Sequence, residues 1–260
     1  MNLQLQNKVI IVTGGAKGIG LGIAEVLAAE GAQVAIVGRN VTDNQKAVDD
    51  IKAKNGNAWQ VAAELSNPGE CEKAIKAVIE KFGRIDGLVN NAGVNDGVGL
   101  ENGNYEKFIE SYHKNAVHYY LMMHYALHEL KKSKGAVVNI GSKTAETGQG
   151  NTSGYAAANG ARNALTREWA VELLKYSIRV NAVIVAECFT PLYEKWIQTL
   201  PNPEEKLKNI TEKIPLEKRM TTAVEIANMV AFLLSPVSSH TTGQLIHVDG
   251  GYVHLDRSLL

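Results

Sequence analysis

A short β-branched run, Lys8–Thr13 (KVIIVT), ends in Gly14-Gly15-Ala16-Lys17-Gly18-Ile19-Gly20, and a helical pattern follows through Glu30. No other feature restricts the possible folds so much. A continuous apolar run of this length marks a strand buried on both faces. Glycines at the corner let the backbone turn sharply and approach an anion, and the unpaired N–H groups opening the next helix favour that anion. A glycine string alone is weak evidence, but its place between a strand and a helix raises its value. Gly14, Gly18, Ile19 and Gly20 are therefore expected to line a cofactor phosphate, with Lys17 in the same loop as a further cofactor contact.

The second strand, Gln33–Gly38, begins about twenty residues after this loop, where a dinucleotide fold meets the adenosine ribose. An acidic residue there would bond both ribose hydroxyls and repel a 2′-phosphate. The chain instead reads Gly38-Arg39-Asn40, and Lys17 adds a second cation. Two cations suit NADP better than NAD, with NAD as the alternative.

Beyond this point strands and helices alternate. The pattern predicts a helix over Thr42–Asn55, a strand over Ala58–Leu65, a helix over Pro68–Phe82 and a strand over Gly87–Asn90. A long helix over Asn104–Leu130 carries Asn115 near its middle, and strands follow at Gly135–Gly141, Ile178–Ile184 and Gln244–Val248. This is the signature of βαβ units and a parallel sheet. No linker or internal repeat divides the 260 residues, so the expectation is an α/β fold, one Rossmann-type doubly wound parallel sheet of seven strands spanning 1–260. Loops near 94–104, 143–153 and 185–220 would carry substrate contacts.

Composition limits the partners. Lysine and arginine total 27 and aspartate and glutamate 27, so no basic excess argues for nucleic acid or an anionic membrane. No apolar run approaches the ~20 residues that span a bilayer, and the amino terminus lacks signal-peptide blocks. Cys71 and Cys188 form no metal-binding or redox pair. A soluble cytoplasmic protein is expected.

The chemistry centres on GSKTAETGQGNTSGYAAAN, which sets Ser142 thirteen positions ahead of Tyr155 at the opening of a helix. A tyrosine hydroxyl can exchange a proton with a carbinol oxygen, and a serine hydroxyl can hold that oxygen. A free phenol has a pKa near ~10, so a base at neutral pH needs a nearby cation or dipole. In a helix the best-placed helper is at i+4. That position is Asn159, a neutral amide.

Thr13-Gly14-x-x-x-Gly18-x-Gly20, Asn90-Asn91-Ala92-Gly93, Asn115, Ser142 and Tyr155, in this order and spacing, resemble the short-chain dehydrogenase/reductase family across nearly the whole chain. Within it, VNNAGVNDGVGLE, SKTAETGQGNTSGY, TPLYEKWI and HTTGQLIHVDGGYVHLDRSL resemble bacterial L-fucose dehydrogenases, which oxidise a sugar's anomeric hydroxyl to a lactone. The resemblance implies that Tyr155 takes the hydroxyl proton, Ser142 orients the substrate oxygen and Asn115 holds a water of the proton relay. It also implies cofactor contacts from Glu64, Leu65, Asn91, Gly93, Tyr155, Val185 and Thr190, with Val89 nearby, and a homotetramer. The family has a lysine where this chain has Asn159, and Pro-Gly where it has Val185-Ala186. An impaired sugar dehydrogenase is thus one reading, and a cofactor-binding protein with little turnover the other. Under the first, Asn159→Lys should raise turnover severalfold at pH 7 and less near pH 10.

A sugar pocket needs several directional polar groups. Asn95, Ser142, Lys143, Gln149, Glu187 and Trp196 are the substrate candidates, with Asn151 and His254 as further ones. Lys143 is the nearest cation in sequence to replace the lost lysine, but a strand neighbour of Ser142 should point the other way. His113, His118, His124 and His128 have poor spacing for a metal, and none is expected.

Overall fold

The computed structural model describes residues 1–256; the end of the HTTGQLIHVDGGYVHLDRSL string, from Arg257 on, lies outside them. Seven parallel strands, β1 (Val9–Thr13), β2 (Gln33–Gly38), β3 (Asn57–Ala62), β4 (Gly87–Asn90), β5 (Ala136–Ser142), β6 (Arg179–Val185) and β7 (Leu245–Val248), form one sheet in the order β3-β2-β1-β4-β5-β6-β7. The order reverses between β1 and β4, so a crevice opens at the carboxyl ends of these two strands, where open α/β sheets take their ligands.

Strand alternation distributes the apolar side chains between two layers. In β1, Ile10 and Val12 face helix α1 (Gly18–Ala29), where Ile23 and Leu27 join them in one core. Val9 and Ile11 face the other way, towards α3 (Pro68–Phe82), which adds Ile75 and Val78. Helix α2 (Val41–Ala53) lies between β2 and β3 in the chain. Full burial of each such side chain contributes about 1.5–3 kcal/mol.

Ile23 and Leu27 are wholly buried. Between α1 and a later helix the backbones nearly touch, since a Cβ on Gly22 would lie 2.8 Å from that of Ala223.

Two elements depart from the sequence expectation. Strand β3 stops at Ala62, so Glu64 and Leu65 lie beyond it in a turn. There the Glu64 N–H donates to the Glu70 carboxylate (2.5 Å) instead of to a strand. The long helix is broken into α4 (Tyr105–Tyr112), a π-helical segment (His113–Val117) and α5 (His118–Ser133). Asn115 accounts for the break: its Nδ2 donates to the Ser111 carbonyl four residues back (2.9 Å), competing with the helix for that acceptor.

Helix α6 (Ser153–Glu172) follows β5 after a short 3₁₀ turn, Lys143–Ala145. After β6 the chain makes α7 (Pro191–Ile197) and α8 (Pro203–Glu212), then α9 (Ala223–Leu234), which carries Ala223. The stretch before α9 leaves and returns at one place. Cys188 and Thr221 form an isolated parallel bridge, and the Thr221 N–H donates to the Glu187 carbonyl (3.0 Å). Among the described residues no helix is long and apolar enough to cross a membrane.

Candidate active site

The glycine corner is fastened to the end of β4. Thr13 Oγ1 accepts from the N–H groups of Asn91 (2.9 Å) and Ala92 (3.1 Å). Asn91 Nδ2 donates to the carbonyls of Thr13 (2.9 Å) and Gly14 (3.3 Å). Gly14 and Gly18 adopt left-handed φ values of 63° and 57°. A Cβ on Gly20 would stand 2.2 Å from the Gly14 carbonyl oxygen and 2.5 Å from Asn91 Nδ2, so only glycine fits.

Helix α1 has no side-chain cap, which leaves the N–H groups of its first turn open to an anion. Thr190 caps α7 by accepting from the Tyr193 N–H (3.2 Å) and abuts Gly18, where a Cβ would meet it at 3.2 Å. Ile19 packs at the edge of the α1 core. An uncapped helix start, a cradle that any Cβ would fill and a threonine on its far side fit a dinucleotide diphosphate.

At the expected ribose end both cations meet acids. Lys17 Nζ lies 2.6 Å from Asp43, and Arg39 Nη1 lies 3.5 Å from Glu64. Both cations are exposed and their acids half-buried, so each pair is weak and separable by a ligand. Glu64 also folds back on its own turn, accepting from Ser66 N–H (3.1 Å) and Oγ (2.9 Å), while Leu65 is buried.

Ser142 ends β5 in register with Val185 of β6, and its Oγ accepts from the Thr144 hydroxyl (3.1 Å) and N–H (3.3 Å). Lys143 opens the 3₁₀ turn instead of prolonging the strand, and its ammonium pairs with Glu187. It also lies 4.0 Å from the centre of the Tyr252 ring. Lys143 is thus committed to Glu187 and does not replace the cation missing at position 159. Both partners are buried, at 7 % and 8 % exposure.

Tyr193 belongs to the same cluster. Burial first, and then the Glu187 charge, pushes its phenol well above the ordinary range. Its buried hydroxyl lies within reach of the Glu187 carboxylate. Tyr193 rests edge-on against Trp196, with ring centres 5.1 Å apart. Asn95 and Gln149 are exposed on loops; Asn95 Oδ1 accepts only within its own turn, from the Gly97 N–H (3.3 Å). Those loops nevertheless meet, since a Cβ on Gly99 would lie 2.9 Å from the Asn151 backbone.

Tyr155 sits in the first turn of α6, at partial burial. One turn on, buried Asn159 donates through Nδ2 to the Tyr155 carbonyl (2.9 Å). Its Oδ1 accepts from Arg162 Nη1 (3.0 Å). Asn115 exchanges two bonds with Val94, accepting from its N–H (2.8 Å) and donating to its carbonyl (2.9 Å). The Asn115 carbonyl accepts from Arg162 Nε (2.6 Å). Gly93 closes this group, because a Cβ there would fall 2.7 Å from Arg162 Nη2.

Three features escaped the sequence reading. Arg162 and Tyr193 are two of them. The third joins Glu146, His247 and His254, whose ligand-capable atoms lie within 4.8 Å of one another, across a gap in sequence that no spacing reveals. Burial first raises both thiols, Cys71 and Cys188, to about 11, so neither is poised as a nucleophile.

The fold and the glycine cradle define a Rossmann-type oxidoreductase. The family model described as enoyl-(acyl carrier protein) reductase matches residues 14–253. The solved structure of Cj0485 dehydrogenase is 48% identical, with a TM-score of 0.93, covering 100% of this chain and 99% of its own. Levodione reductase of Leifsonia aquatica is 35% identical over 94% of each chain. L-fucose dehydrogenase of Bos taurus is 31% identical over 96% of this chain and 88% of its own. The chain belongs to the short-chain dehydrogenase/reductase family, oxidoreductases that bind NAD(P). These relatives are named for unlike substrates, so kinship gives the reaction class and leaves the substrate to the site.

Proposed function

We propose that this protein oxidises a sugar hydroxyl, of L-fucose or a similar aldose, to the lactone with NADP in preference to NAD, and does so slowly at neutral pH. The observation that carries the reading is the buried polar cluster beside Ser142. Lys143 paired with Glu187, and a buried Tyr193 hydroxyl within reach of the same carboxylate, suit a ligand with several hydroxyls better than an apolar one. The L-fucose dehydrogenase among the relatives supports the same class. Lys17 and Arg39, both exposed and each able to leave its half-buried acid for a 2′-phosphate, support NADP. Assembly into a homotetramer is part of the proposal.

The bound dinucleotide supplies the hydride acceptor. The chain does the rest. The glycine cradle and Thr190 would hold the diphosphate, and Asn91 and Gly93 would lie on the nicotinamide side, whereas Val185 ends β6 inside the apolar core and leaves any covering to the loop after it. Ser142 Oγ would donate to the substrate oxygen, and Tyr155, having first released its own proton through a water held near Asn115, would take the hydroxyl proton as the phenolate. Asn159 leaves Tyr155 without an ammonium at i+4, which slows the proton transfer at pH 7.

The same asparagine favours the second reading, a cofactor-binding protein with little turnover. NADPH formation from L-fucose and NADP at pH 7 and pH 10, beside titrations with NADPH and NADH, separates the two. Turnover that rises steeply with pH and vanishes in Tyr155→Phe is expected. Tight NADPH binding with no turnover at either pH selects the second reading, and tighter NADH than NADPH binding overturns the NADP preference.

A further inference from the structure

Arg162 is 3 % exposed. Burying a guanidinium costs several kcal/mol unless charge or hydrogen bonds offset it. Here every hydrogen-bond partner among the described residues is neutral. Nε donates to the Asn115 carbonyl (2.6 Å), Nη1 to the Ile140 carbonyl (3.1 Å) and Asn159 Oδ1 (3.0 Å), and Nη2 approaches Asn115 Oδ1 (3.4 Å). The Tyr119 ring covers the group at 4.3 Å. Among the described residues no carboxylate forms an ion pair with it.

The positive charge is therefore uncompensated, and its surroundings show which group can compensate it. From α5, Tyr119 donates its hydroxyl to the Ile140 carbonyl (3.0 Å), and burial holds its phenol protonated. His118 is pushed down to about 3, by burial first and then by Arg162 itself, so it stays neutral. On the segment bearing Asn115, Lys114 is paired with Glu110 (2.6 Å) and His113 is exposed. Strand β5 and the Gly93 turn present only neutral groups to the guanidinium. That leaves Tyr155, whose ring centre lies 5.9 Å from Arg162 Cζ.

We propose that Arg162 is a positioning residue that supplies, from one turn deeper in α6, part of the positive charge absent at Asn159, and that it does so by holding Asn159 and Asn115 and by favouring negative charge on the Tyr155 oxygen. This rests on Tyr155 being the proton acceptor. It also revises the expectation for Asn159→Lys. A lysine there would share its space with Arg162, so the two cations compete for one site.

The test compares the parent protein, Arg162→Gln, Arg162→Lys, Asn159→Lys and Asn159→Lys/Arg162→Gln. Turnover of L-fucose with NADP is followed from pH 6 to 10, and melting temperature is measured without ligand. Arg162→Gln should lower turnover roughly 10- to 100-fold at pH 7, by the potential of a unit charge at this range, with the loss shrinking towards pH 10. Arg162→Lys should keep the parent's pH profile. Asn159→Lys should lower the melting temperature when Arg162 is present and not when glutamine replaces it, and the double variant should regain the turnover at pH 7. An Arg162→Gln loss equal at every pH, or additive melting shifts, overturns the proposal. Activity surviving in Tyr155→Phe overturns the functional reading instead.

Discussion

Replacing Glu187 by glutamine removes one charge of a buried pair and leaves the volume unchanged. The Lys143 and Glu187 side chains are 9% and 10% exposed, so the ammonium left behind has little water to turn to. Breaking such a pair destabilises by about 3–5 kcal/mol. The Tyr252 ring, 4.0 Å from the ammonium, keeps some of that charge satisfied, and a partly desolvated cation–π contact contributes about 1–2 kcal/mol. The net expectation is a loss of about 1–4 kcal/mol. For a chain of this size it corresponds to roughly 2–16 °C in melting temperature.

Urea unfolding followed by circular dichroism at pH 7.5 measures it, with Lys143→Met/Glu187→Leu as the control. Removing both charges together should bring stability back to within about 1 kcal/mol of the parent, because an apolar pair of similar volume needs no desolvation. If the control is worse than Glu187→Gln alone, the loss comes from packing and the electrostatic account fails. On the functional reading, Glu187→Gln should also raise the KM for L-fucose while NADPH affinity stays unchanged.

Gly20→Ala sets a Cβ 2.2 Å from the Gly14 carbonyl oxygen; isothermal titration should show NADPH binding weakened at least tenfold, and a parent-like affinity would mean the corner can shift. Arg219 first, and then the Thr222 groups of the capping box, holds Glu225 down at about 2. Its contribution is therefore complete above the ordinary carboxylate range and lost as pH falls towards about 2. Glu225→Gln should cost up to about 1 kcal/mol at pH 7, the pair being exposed, and acid unfolding curves of the two proteins should converge near pH 2.

The first βαβ unit was legible because strand, glycine corner and helix each have a local cause. The end of β3 was not, because it depends on a carboxylate six residues on, Glu70, capturing the Glu64 N–H. Nor was the broken long helix, where one asparagine competes for a backbone carbonyl that periodicity counts as taken. The pairing of Lys143 with Glu187 joins residues 44 apart and needs β5 and β6 side by side. Arg162 left a signal that pattern reading passed over. Tyr155, Asn159, Arg162, Thr166 and Trp169 recur at helical spacing, and the last four are buried, so Arg162 is a full charge on the inward stripe of α6. A full charge in that register is by itself a sign that something nearby must balance it.

The bridge between Cys188 and Thr221 makes the intervening stretch a cassette with both feet on one spot. Its length is decoupled from the sheet, since doubling a flexible loop between fixed ends adds only about 0.6 kcal/mol of closure entropy. The residues carried there beyond Thr190, Tyr193 and Trp196 among them, can therefore be exchanged as a block while the glycine cradle, Thr190 and α6 stay as they are. Relatives that share this sheet and differ in substrate need differ, on this view, chiefly between two hydrogen-bonded hinges.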